Sequence, residues 1–225
     1  MRRLVLLITV LAFLVTAPKT FAGIVADPGF DLLPAGVGVE GSGGLVGPFW
    51  TGYSTGNPTF WYQTWAWQNA AVTPPNVQEW WDGNLIGTSG IYQANIPVVV
   101  GQCYTASVWY TDPWQMGAFS ADIRIGIDFL GIAPGPGLGL GAPLTTIWSP
   151  WVPVGMNWAQ LVTPGMVSPA AMATLYIETR SRPGSGLPDR VYIDDAQMQV
   201  VPLPASILLL GLGLVGLTGV RRTMK

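Results

Sequence analysis

The chain has 225 residues, of which 49% are hydrophobic, 11% are aromatic and only 10% are charged. It contains 29 glycines, 20 prolines and 11 tryptophans, together with one cysteine and no histidine. So few charges and so many turn formers exclude a helical bundle or a coiled coil, because the solvent-exposed faces of their helices need Lys, Glu and Arg. The lack of histidine excludes Ser-His-Asp and Cys-His nucleophile systems, histidine-ligated zinc and imidazole acid–base catalysis.

The N-terminus has the pattern of a secretory signal peptide. A basic Met-Arg-Arg start precedes the apolar run Leu4–Val15, and small residues follow it. We therefore assign residues 1–22 to a helical signal peptide that is cleaved between Ala22 and Gly23. The alternative is an uncleaved anchor helix, but a run of 12 residues is short for a bilayer that needs about 20 residues.

Residues 201–225 have the pattern of a short membrane-spanning tail. Two prolines mark the start of a helix, and the apolar run 205–220 follows them. As a helix this run would rise about 24 Å, a little short of the roughly 30 Å hydrocarbon core. Arg221 and Arg222 would hold the C-terminus in the cytoplasm. The alternative, a core helix of the folded domain, is disfavoured because the run has no polar face.

The tail motif Pro202-Leu203-Pro204, the short Gly- and Leu-rich helix and the Arg221-Arg222 pair resemble a PEP-CTERM sorting signal. This resemblance implies export through the Sec route, transient membrane anchoring by the helix, and processing near the prolines by an exosortase-like enzyme. It also implies delivery to the cell surface or extracellular matrix of a Gram-negative bacterium. The family usually has glutamate where this chain has Leu203, and the resemblance says nothing about the rest of the chain.

Charge is unevenly distributed along the sequence. The body of the chain, residues 23–200, holds four arginines, no lysine and all 12 carboxylates, so its net charge is −8. An acidic surface repels phosphate backbones, and we therefore expect no nucleic-acid partner.

The body predicts one all-β domain, because its 178 residues show short alternating runs between turn formers and no long helical pattern. Ile123, Ile125 and Ile127 alternate with polar residues, as in a half-buried antiparallel strand. The pattern as a whole predicts a two-sheet antiparallel sandwich of the jelly-roll type. The predicted strands are Phe60–Gln68, Gly90–Ile96, Cys103–Tyr110, Asp122–Leu130, Trp148–Val152, Trp158–Thr163, Ala173–Thr179 and Arg190–Val200.

The Gly- and Pro-rich stretch 131–143 follows the fourth predicted strand. A phosphate-binding loop would need a helix start and usually a lysine, which this stretch lacks. It therefore predicts a long hairpin connection.

The last predicted strand changes its apolar register in the middle. Val191 and Ile193 share one face, whereas Ala196 begins the next apolar register. One extra residue must be absorbed at Asp194 and Asp195, which predicts a β-bulge. Two carboxylates at a buried bulge need a cation or several hydrogen bonds.

Several segments of the body carry a second resemblance, namely Asp27-Pro28-Gly29-Phe30-Asp31, Tyr92-Gln93, and residues 101–109, 158–161 and 191–196. Together they resemble carbohydrate-binding modules with a galactose-binding-like jelly roll. In that family the first and last strands meet at a structural calcium site, so the resemblance implies Asp31 and Asp194 as candidate metal ligands, with a backbone carbonyl near Asp27 beside them. Calcium takes six to eight oxygens, and the alternative is that these are surface or capping acids without metal.

Tryptophan supplies the strongest functional signal. On a regular strand Trp61, Trp65 and Trp67 project from one face at spacings of about 13 and 7 Å, which suit the stacking of successive pyranose rings. The alternative is that large aromatic residues fill the core, and we expect at least half of the tryptophans to be structural. The predicted ligand-binding set is Trp61, Gln63, Trp65, Trp67 and Trp81, with a rim from Trp109, Trp114, Trp148 and Trp151.

The sequence thus predicts an exported, non-catalytic module that binds polysaccharide and needs no cofactor apart from the calcium considered above. The alternative is a structural or adhesion protein of the extracellular matrix with no defined sugar ligand. A glycosidase is the least favoured function, because it needs two carboxylates about 5 to 9.5 Å apart across a cleft. The neighbouring Asp194 and Asp195 are expected to face apart.

Overall fold

A computed structural model describes residues 24–30, 32, 38–40, 45–46, 49–54, 60–66, 76–82, 88–112, 121–131, 137–138, 141–182 and 189–202. In this part of the chain no helix has the length and apolar character needed to cross a bilayer. The predicted signal peptide and the predicted tail helix, 205–220, lie outside the described residues and stay predictions.

The described residues form 15 strands. In chain order they are β1 (Gly38–Glu40), β2 (Leu45–Val46), β3 (Trp50–Ser54), β4 (Phe60–Ala66), β5 (Asn76–Asp82), β6 (Thr88–Pro97), β7 (Cys103–Thr111), β8 (Ala121–Asp128), β9 (Gly137–Leu138), β10 (Ile147–Trp148), β11 (Val152–Pro153), β12 (Ala159–Val162), β13 (Met166–Val167), β14 (Met172–Ser181) and β15 (Asp189–Val200).

These strands form two sheets, which confirms the prediction of an all-β domain with two antiparallel sheets. Sheet A has the order β1-β4-β5-β15-β7-β12, with β13 also paired to β7. Sheet B has the order β10-β8-β14-β6-β3-β2, with β11 on β8 and β9 on β3. Among the described pairs only β3 and β9 run parallel. The jelly-roll type and the two flanking helices stay predictions.

Seven of the eight predicted strands are present, with ends that differ by at most two residues. The segment predicted as Trp148–Val152 instead forms two short strands, β10 and β11, because Pro150 cannot donate a ladder hydrogen bond. The sequence prediction missed β3 and β5 among others. In the sequence, Gly52 interrupts the apolar pattern of β3, and β5 lacks a clean alternation of apolar and polar residues.

The core lies between the sheets and is built from strand residues that alternate with polar ones. On sheet B, Ile123, Ile125 and Ile127 are fully buried, as their alternation predicts. On sheet A, Val191 and Ile193 are equally buried in the same cluster. Burial of each such side chain contributes about 1.5–3 kcal/mol. The other face of each sheet points away from this core.

The predicted bulge in β15 is confirmed. The register between β15 and β7 shifts between Asp194 and Gln197, and Asp195 has a positive φ of 46°. The opening segment 24–30 lies along this strand, because the Ala196 N–H donates to the Pro28 carbonyl over 2.9 Å. The start and the end of the described domain are therefore fastened together at the bulge.

The stretch 131–143 lies between β8 and β10, which pair antiparallel, but it is not the long hairpin connection predicted, because β9 within it pairs with β3. The prediction did not foresee β9, which pairs with β3 on the other side of sheet B. The chain therefore reaches across to β3 before it returns to β8.

Close approach of an aromatic ring to the backbone requires glycine at position 90. A Cβ atom built on Gly90 would lie 2.6 Å from the carbonyl oxygen of Ile177 and 2.8 Å from the ring of Tyr53. We predict that Gly90→Ala lowers the free energy of unfolding by about 2 kcal/mol, since overpacking a filled site costs about 1–3 kcal/mol.

Urea unfolding followed by tryptophan fluorescence measures this loss. Gly165→Ala is the matched control, because its new Cβ would meet only the end of the Cys103 side chain, at 3.2 Å. Equal stability of the two variants would contradict the prediction.

A candidate binding face on sheet B

The outer face of sheet B is the face that points away from the core. It carries the residues of β8 and β14 that alternate with the buried isoleucines and leucine, and strand pairing sets them side by side. The directly opposed pairs are Asp122 with Arg180, Arg124 with Glu178, Gly126 with Tyr176, and Asp128 with Thr174.

Glu178 is buried at the centre of this face and is held by two partners. The Tyr53 hydroxyl donates to its Oε1 over 2.6 Å, and Arg124 donates from Nε to its Oε2 over 2.8 Å. A second Arg124 nitrogen, Nη2, also donates to Oε2. Charge-assisted bonds of this kind are about twice as strong as neutral ones, so both the carboxylate and the guanidinium are fixed in place.

Two indoles and two guanidiniums alternate at the rim of this face. The Arg124 guanidinium carbon lies 3.9 Å from the ring centroid of Trp148 and 4.3 Å from that of Trp151. The Arg180 guanidinium carbon lies 4.4 Å from the Trp151 centroid. The side chains of Arg124 and Arg180 are 24% and 42% exposed, and both tryptophans are half-buried. We call Trp148, Arg124, Trp151 and Arg180 the indole–arginine ladder.

Asp122 lies next to the ladder and binds two arginines. Arg180 donates from Nε and Nη2 to its Oδ2 over 3.2 and 3.1 Å, and Arg182 donates from Nε to its Oδ1 over 2.7 Å. Three of the four arginines in residues 23–200 are therefore on this face. Against the charges of Glu178, Asp122 and Asp128 on the same face they leave no net charge, whereas the domain as a whole is acidic.

A cluster of three tyrosines continues the face beyond the ladder. The rings of Tyr53, Tyr92 and Tyr176 lie 5.8 to 5.9 Å apart, and all three are buried. Ala142 packs against them, so the returning stretch between β9 and β10 covers part of the sheet here. Trp148 lies close over Gly126, where an added Cβ atom would come within 2.5 Å of the indole.

Burial changes the acidity of two of these phenols. Burial raises the pKa of Tyr53 well above its ordinary value, and the negative charge of Glu178 raises it further. Burial also raises the pKa of Tyr176, and the carboxylate of Asp128 adds to the effect. Both phenols therefore stay protonated in the folded protein at pH values where an exposed tyrosine ionises.

The predicted ligand-binding residues lie on the other sheet. Trp61, Gln63 and Trp65 belong to β4 and Trp81 belongs to β5, and the backbone register pairs Trp61 directly with Trp81. Trp67 lies outside the described residues. Of the predicted rim, Trp148 and Trp151 lie in the ladder, Trp109 lies on β7 of sheet A, and Trp114 is not described.

The sequence prediction missed Arg124, Arg180 and Arg182, because an arginine on an alternating strand is typical of a solvent-facing position. One signal was present in the sequence. Residues 23–200 contain four arginines in all; Arg124 falls within one predicted strand, and Arg180 directly follows the end of another. Scarce charge gathered on neighbouring strands indicates a shared role.

The predicted calcium site is described only in part, since Asp31 lies outside the described residues. Asp194 is fully buried at the bulge, and Gln197 donates to Oδ1 of the neighbouring Asp195 over 2.6 Å. Oδ1 of Asp27 accepts from the Leu32 N–H. Within the described ranges no group of three acidic, cysteine or histidine residues could hold a metal. The two segments meet as the resemblance implies, and calcium at this point stays a prediction.

Of the predicted sorting residues only Pro202 is described, at the end of the last described segment. Leu203, Pro204, Arg221 and Arg222 lie outside it, so their roles stay predictions.

The raised pKa values of Tyr53 and Tyr176 predict a loss of stability at alkaline pH. Above about pH 10 the unfolded chain releases tyrosine protons that the folded protein keeps, so each such tyrosine lowers the free energy of unfolding by up to about 1.4 kcal/mol per pH unit. Its contribution is complete below the unfolded pKa and is lost as the pH rises.

Urea unfolding between about pH 9 and about pH 11 measures this slope. Tyr176→Phe is expected to flatten the slope without breaking the bond from Tyr53 to Glu178. A slope that is unchanged in both Tyr176→Phe and Tyr53→Phe would contradict the assignment.

Comparisons with known proteins bear on the tail and on the domain separately. Residues 200–222 match the PEP-CTERM protein-sorting motif. This match marks the chain as an exported, surface-directed protein. No curated protein sequence matches the chain.

The domain is similar to several solved structures. One is the carbohydrate-binding module TmCBM61 in complex with β-1,4-galactotriose, with 11% identity, a TM-score of 0.51, and coverage of 79% of this chain and 98% of that one. Another is a Stig cyclase from Fischerella sp. TAU, with 11% identity, a TM-score of 0.53, and coverage of 83% and 100%. A family 22 carbohydrate-binding module of Clostridium thermocellum has 17% identity, a TM-score of 0.43, and coverage of 79% and 98%.

At such low identity these similarities show the fold alone. The assignment of the fold rests on the two structures whose TM-scores exceed 0.5. Residues 200–222 of this chain thus carry a PEP-CTERM protein-sorting motif, and the domain before them has the β-sandwich fold found in carbohydrate-binding modules.

Proposed function

We propose that this protein is an exported, non-catalytic glycan-binding module that its sorting tail delivers to the cell surface or the extracellular matrix. An exosortase-like enzyme processes the tail, and a polysaccharide is the partner of the domain. The observation that carries the binding function is the half-exposed indole–arginine ladder on the outer face of sheet B, in a fold shared with carbohydrate-binding modules.

The chemistry of the ladder suits a sugar. The apolar C–H faces of a pyranose pack on indole surface, and a binding site of this kind needs few but well-placed polar groups. Each guanidinium has five N–H donors, and the bonds to Glu178 and Asp122 use Nε and Nη2 of Arg124 and of Arg180. The remaining N–H groups are held at fixed positions and can donate to sugar hydroxyls.

The set predicted from the sequence (Trp61, Gln63, Trp65, Trp67 and Trp81) is a second location for the same function on sheet A. Its support is the direct pairing of Trp61 with Trp81 across β4 and β5. We place the ladder first, because its side-chain geometry is described. The two locations make different predictions for mutagenesis.

Two of the three carboxylates on the candidate face, Glu178 and Asp122, are engaged by protein partners, which leaves only Asp128, whereas a glycosidase needs two. Glu178 accepts hydrogen bonds at both oxygens, and Asp122 accepts from two arginines at both of its oxygens. Neither is placed to donate a proton to a glycosidic bond or to activate water. The fold itself does not decide this point, because a cyclase is among the similar structures.

A structural or adhesion protein of the matrix remains the second candidate. It is favoured by the exposed large apolar side chains of the described domain, such as Leu144, Val99 and Val100. Such a protein would self-associate or attach to surfaces without retention on any glycan.

Paired substitutions on the two sheets test the proposed function. We predict that Trp148→Ala combined with Trp151→Ala weakens glycan affinity at least about tenfold, which corresponds to about 1.4 kcal/mol. The matched control, Trp61→Ala combined with Trp65→Ala, is expected to leave affinity unchanged. A glycan array identifies the ligand, and calorimetry on that glycan measures the affinity of each variant whose melting temperature shows that it is folded.

If Trp61→Ala combined with Trp65→Ala weakens glycan affinity and Trp148→Ala combined with Trp151→Ala does not, the site lies on sheet A. Absence of binding to every glycan by the unmodified protein, together with self-association, would favour the adhesion function instead.

Sorting by the tail is testable in a Gram-negative host that contains an exosortase. We predict that Arg221→Ala combined with Arg222→Ala lowers the processed fraction of the chain, since these cations set the orientation of the helix. Leu203→Glu introduces the residue usual in the family and is expected to raise that fraction. Immunoblots of cell-surface and membrane fractions measure both, and equal processing of all three chains would contradict the proposed role of the tail.

A further inference from the structure

A buried row of three oxygen-bearing side chains crosses the outer face of sheet B beyond the tyrosines. Asp128 on β8 pairs directly with Thr174 on β14. Thr146 comes just before β10, whose Ile147 pairs with Ile127, so Thr146 flanks Asp128 on its other side. The three residues are 1%, 0% and 7% exposed, respectively. Three adjacent strands thus contribute one oxygen-bearing side chain each at the same level.

Two of these side chains have an oxygen without a protein partner. Oδ1 of Asp128 accepts from the Leu130 N–H over 3.1 Å, but Oδ2 of Asp128 and Oγ1 of Thr146 find no hydrogen-bond partner. The Thr174 hydroxyl lies within reach of the Tyr176 phenol. Neighbouring strands lie about 4.8 Å apart, too far for a direct hydrogen bond between side chains that point straight out of a sheet. Leaving a buried polar group unsatisfied costs about 1–3 kcal/mol, and more when the group is charged.

The domain has no cation of its own to offer Asp128. Arg124 is four residues away along β8, about 13 Å at 3.3 Å per residue, and binds Glu178. Arg180 and Arg182 bind Asp122 at the far end of the same strand. The fourth arginine, Arg190, belongs to sheet A. Residues 23–200 contain no lysine and no histidine, so this count also covers the loops that are not described.

We infer that Asp128, Thr146 and Thr174 bind a metal cation that prefers oxygen ligands, with Ca²⁺ as the probe ion. A cation at about 2.4 Å from each ligand joins oxygens up to about 4.8 Å apart, which is the spacing of neighbouring strands. The cation would supply the positive charge that balances the buried carboxylate of Asp128. A water molecule would satisfy the hydrogen bonds but would leave that charge uncompensated. Tyr176 lies two residues from Thr174 on the same face of β14, so it borders the same site.

This site is separate from the calcium site that the resemblance implies at Asp31 and Asp194. Asp194 lies on β15 of sheet A, whereas Asp128, Thr146 and Thr174 lie on or beside strands of sheet B. The inference does not depend on glycan binding, and its test does not use a glycan.

Thermal unfolding of the purified full chain, treated with a chelator and then given calcium chloride at constant ionic strength, tests the inference. At a calcium concentration about 100-fold above its Kd, the melting temperature of the unmodified protein is expected to rise by about 5 to 10 °C. Asp128→Asn keeps the size of the side chain and removes its charge, and it is expected to abolish this rise. Asp194→Asn is the matched control and is expected to retain a rise.

Thr174→Val provides a second variant, should Asp128→Asn fail to fold. It removes one ligand oxygen at constant shape, so it is expected to lower the apparent calcium affinity while the chelated protein keeps its melting temperature. Terbium luminescence excited through the nearby Trp148 and Tyr176 reports the same site directly, and it is expected to disappear in Asp128→Asn. Comparing the melting temperature in sodium chloride with that in choline chloride tests whether a monovalent ion binds instead.

Two results would overturn the inference. One is that no ion among calcium, magnesium and sodium shifts the melting temperature. The other is a calcium shift that persists in Asp128→Asn and disappears in Asp194→Asn, which would assign the metal to the bulge in β15.

Discussion

A shortage of positive charge governs the construction of this domain. Twelve carboxylates share four arginines in residues 23–200, and six of those carboxylates are buried in the described residues. A buried charge is costly unless it is paired and hydrogen-bonded, so the position of each arginine matters more here than in a protein with an average charge content. Sheet B concentrates three of them on one face, where they hold Glu178 and Asp122. The carboxylates that remain must be satisfied by hydrogen bonds, by protons or by ions from outside.

The same arginines organise the aromatic surface. A guanidinium that is bound to a buried carboxylate cannot rotate freely, and its flat faces remain available to indoles. Arg124 is held by Glu178, and its guanidinium in turn contacts the rings of Trp148 and Trp151. Gly126 lets the Trp148 ring approach the strand backbone. The geometry of this surface thus depends on the ion pairs that hold Arg124 and Arg180. Side chains held in this way lose little further entropy when a ligand binds, which favours affinity.

The sequence predicts what depends on local alternation. The isoleucines of β8 revealed a strand with one buried face, and the Asp194-Asp195 register change revealed the bulge. The candidate face could not be predicted in the same way, because Arg124 meets Glu178 across 54 positions and Tyr53 meets Glu178 across 125. Such contacts are set by strand order, which alternation does not encode. For the same reason the stacking stripe was predicted along one strand, β4, whereas the described ladder joins residues of three segments.

The inferred cation and the indole–arginine ladder share one structural element. Thr146 and Trp148 are separated by a single residue, so an ion that binds Thr146 to Asp128 holds the chain just before the indole. That chain segment enters from the stretch that covers the tyrosines, and it is attached to β8 by β10 and by Ser149, whose N–H donates to the Ile125 carbonyl over 2.8 Å. Ion binding at Asp128 would therefore reduce the freedom of Trp148, and glycan affinity and metal occupancy would be coupled through the backbone of these three residues.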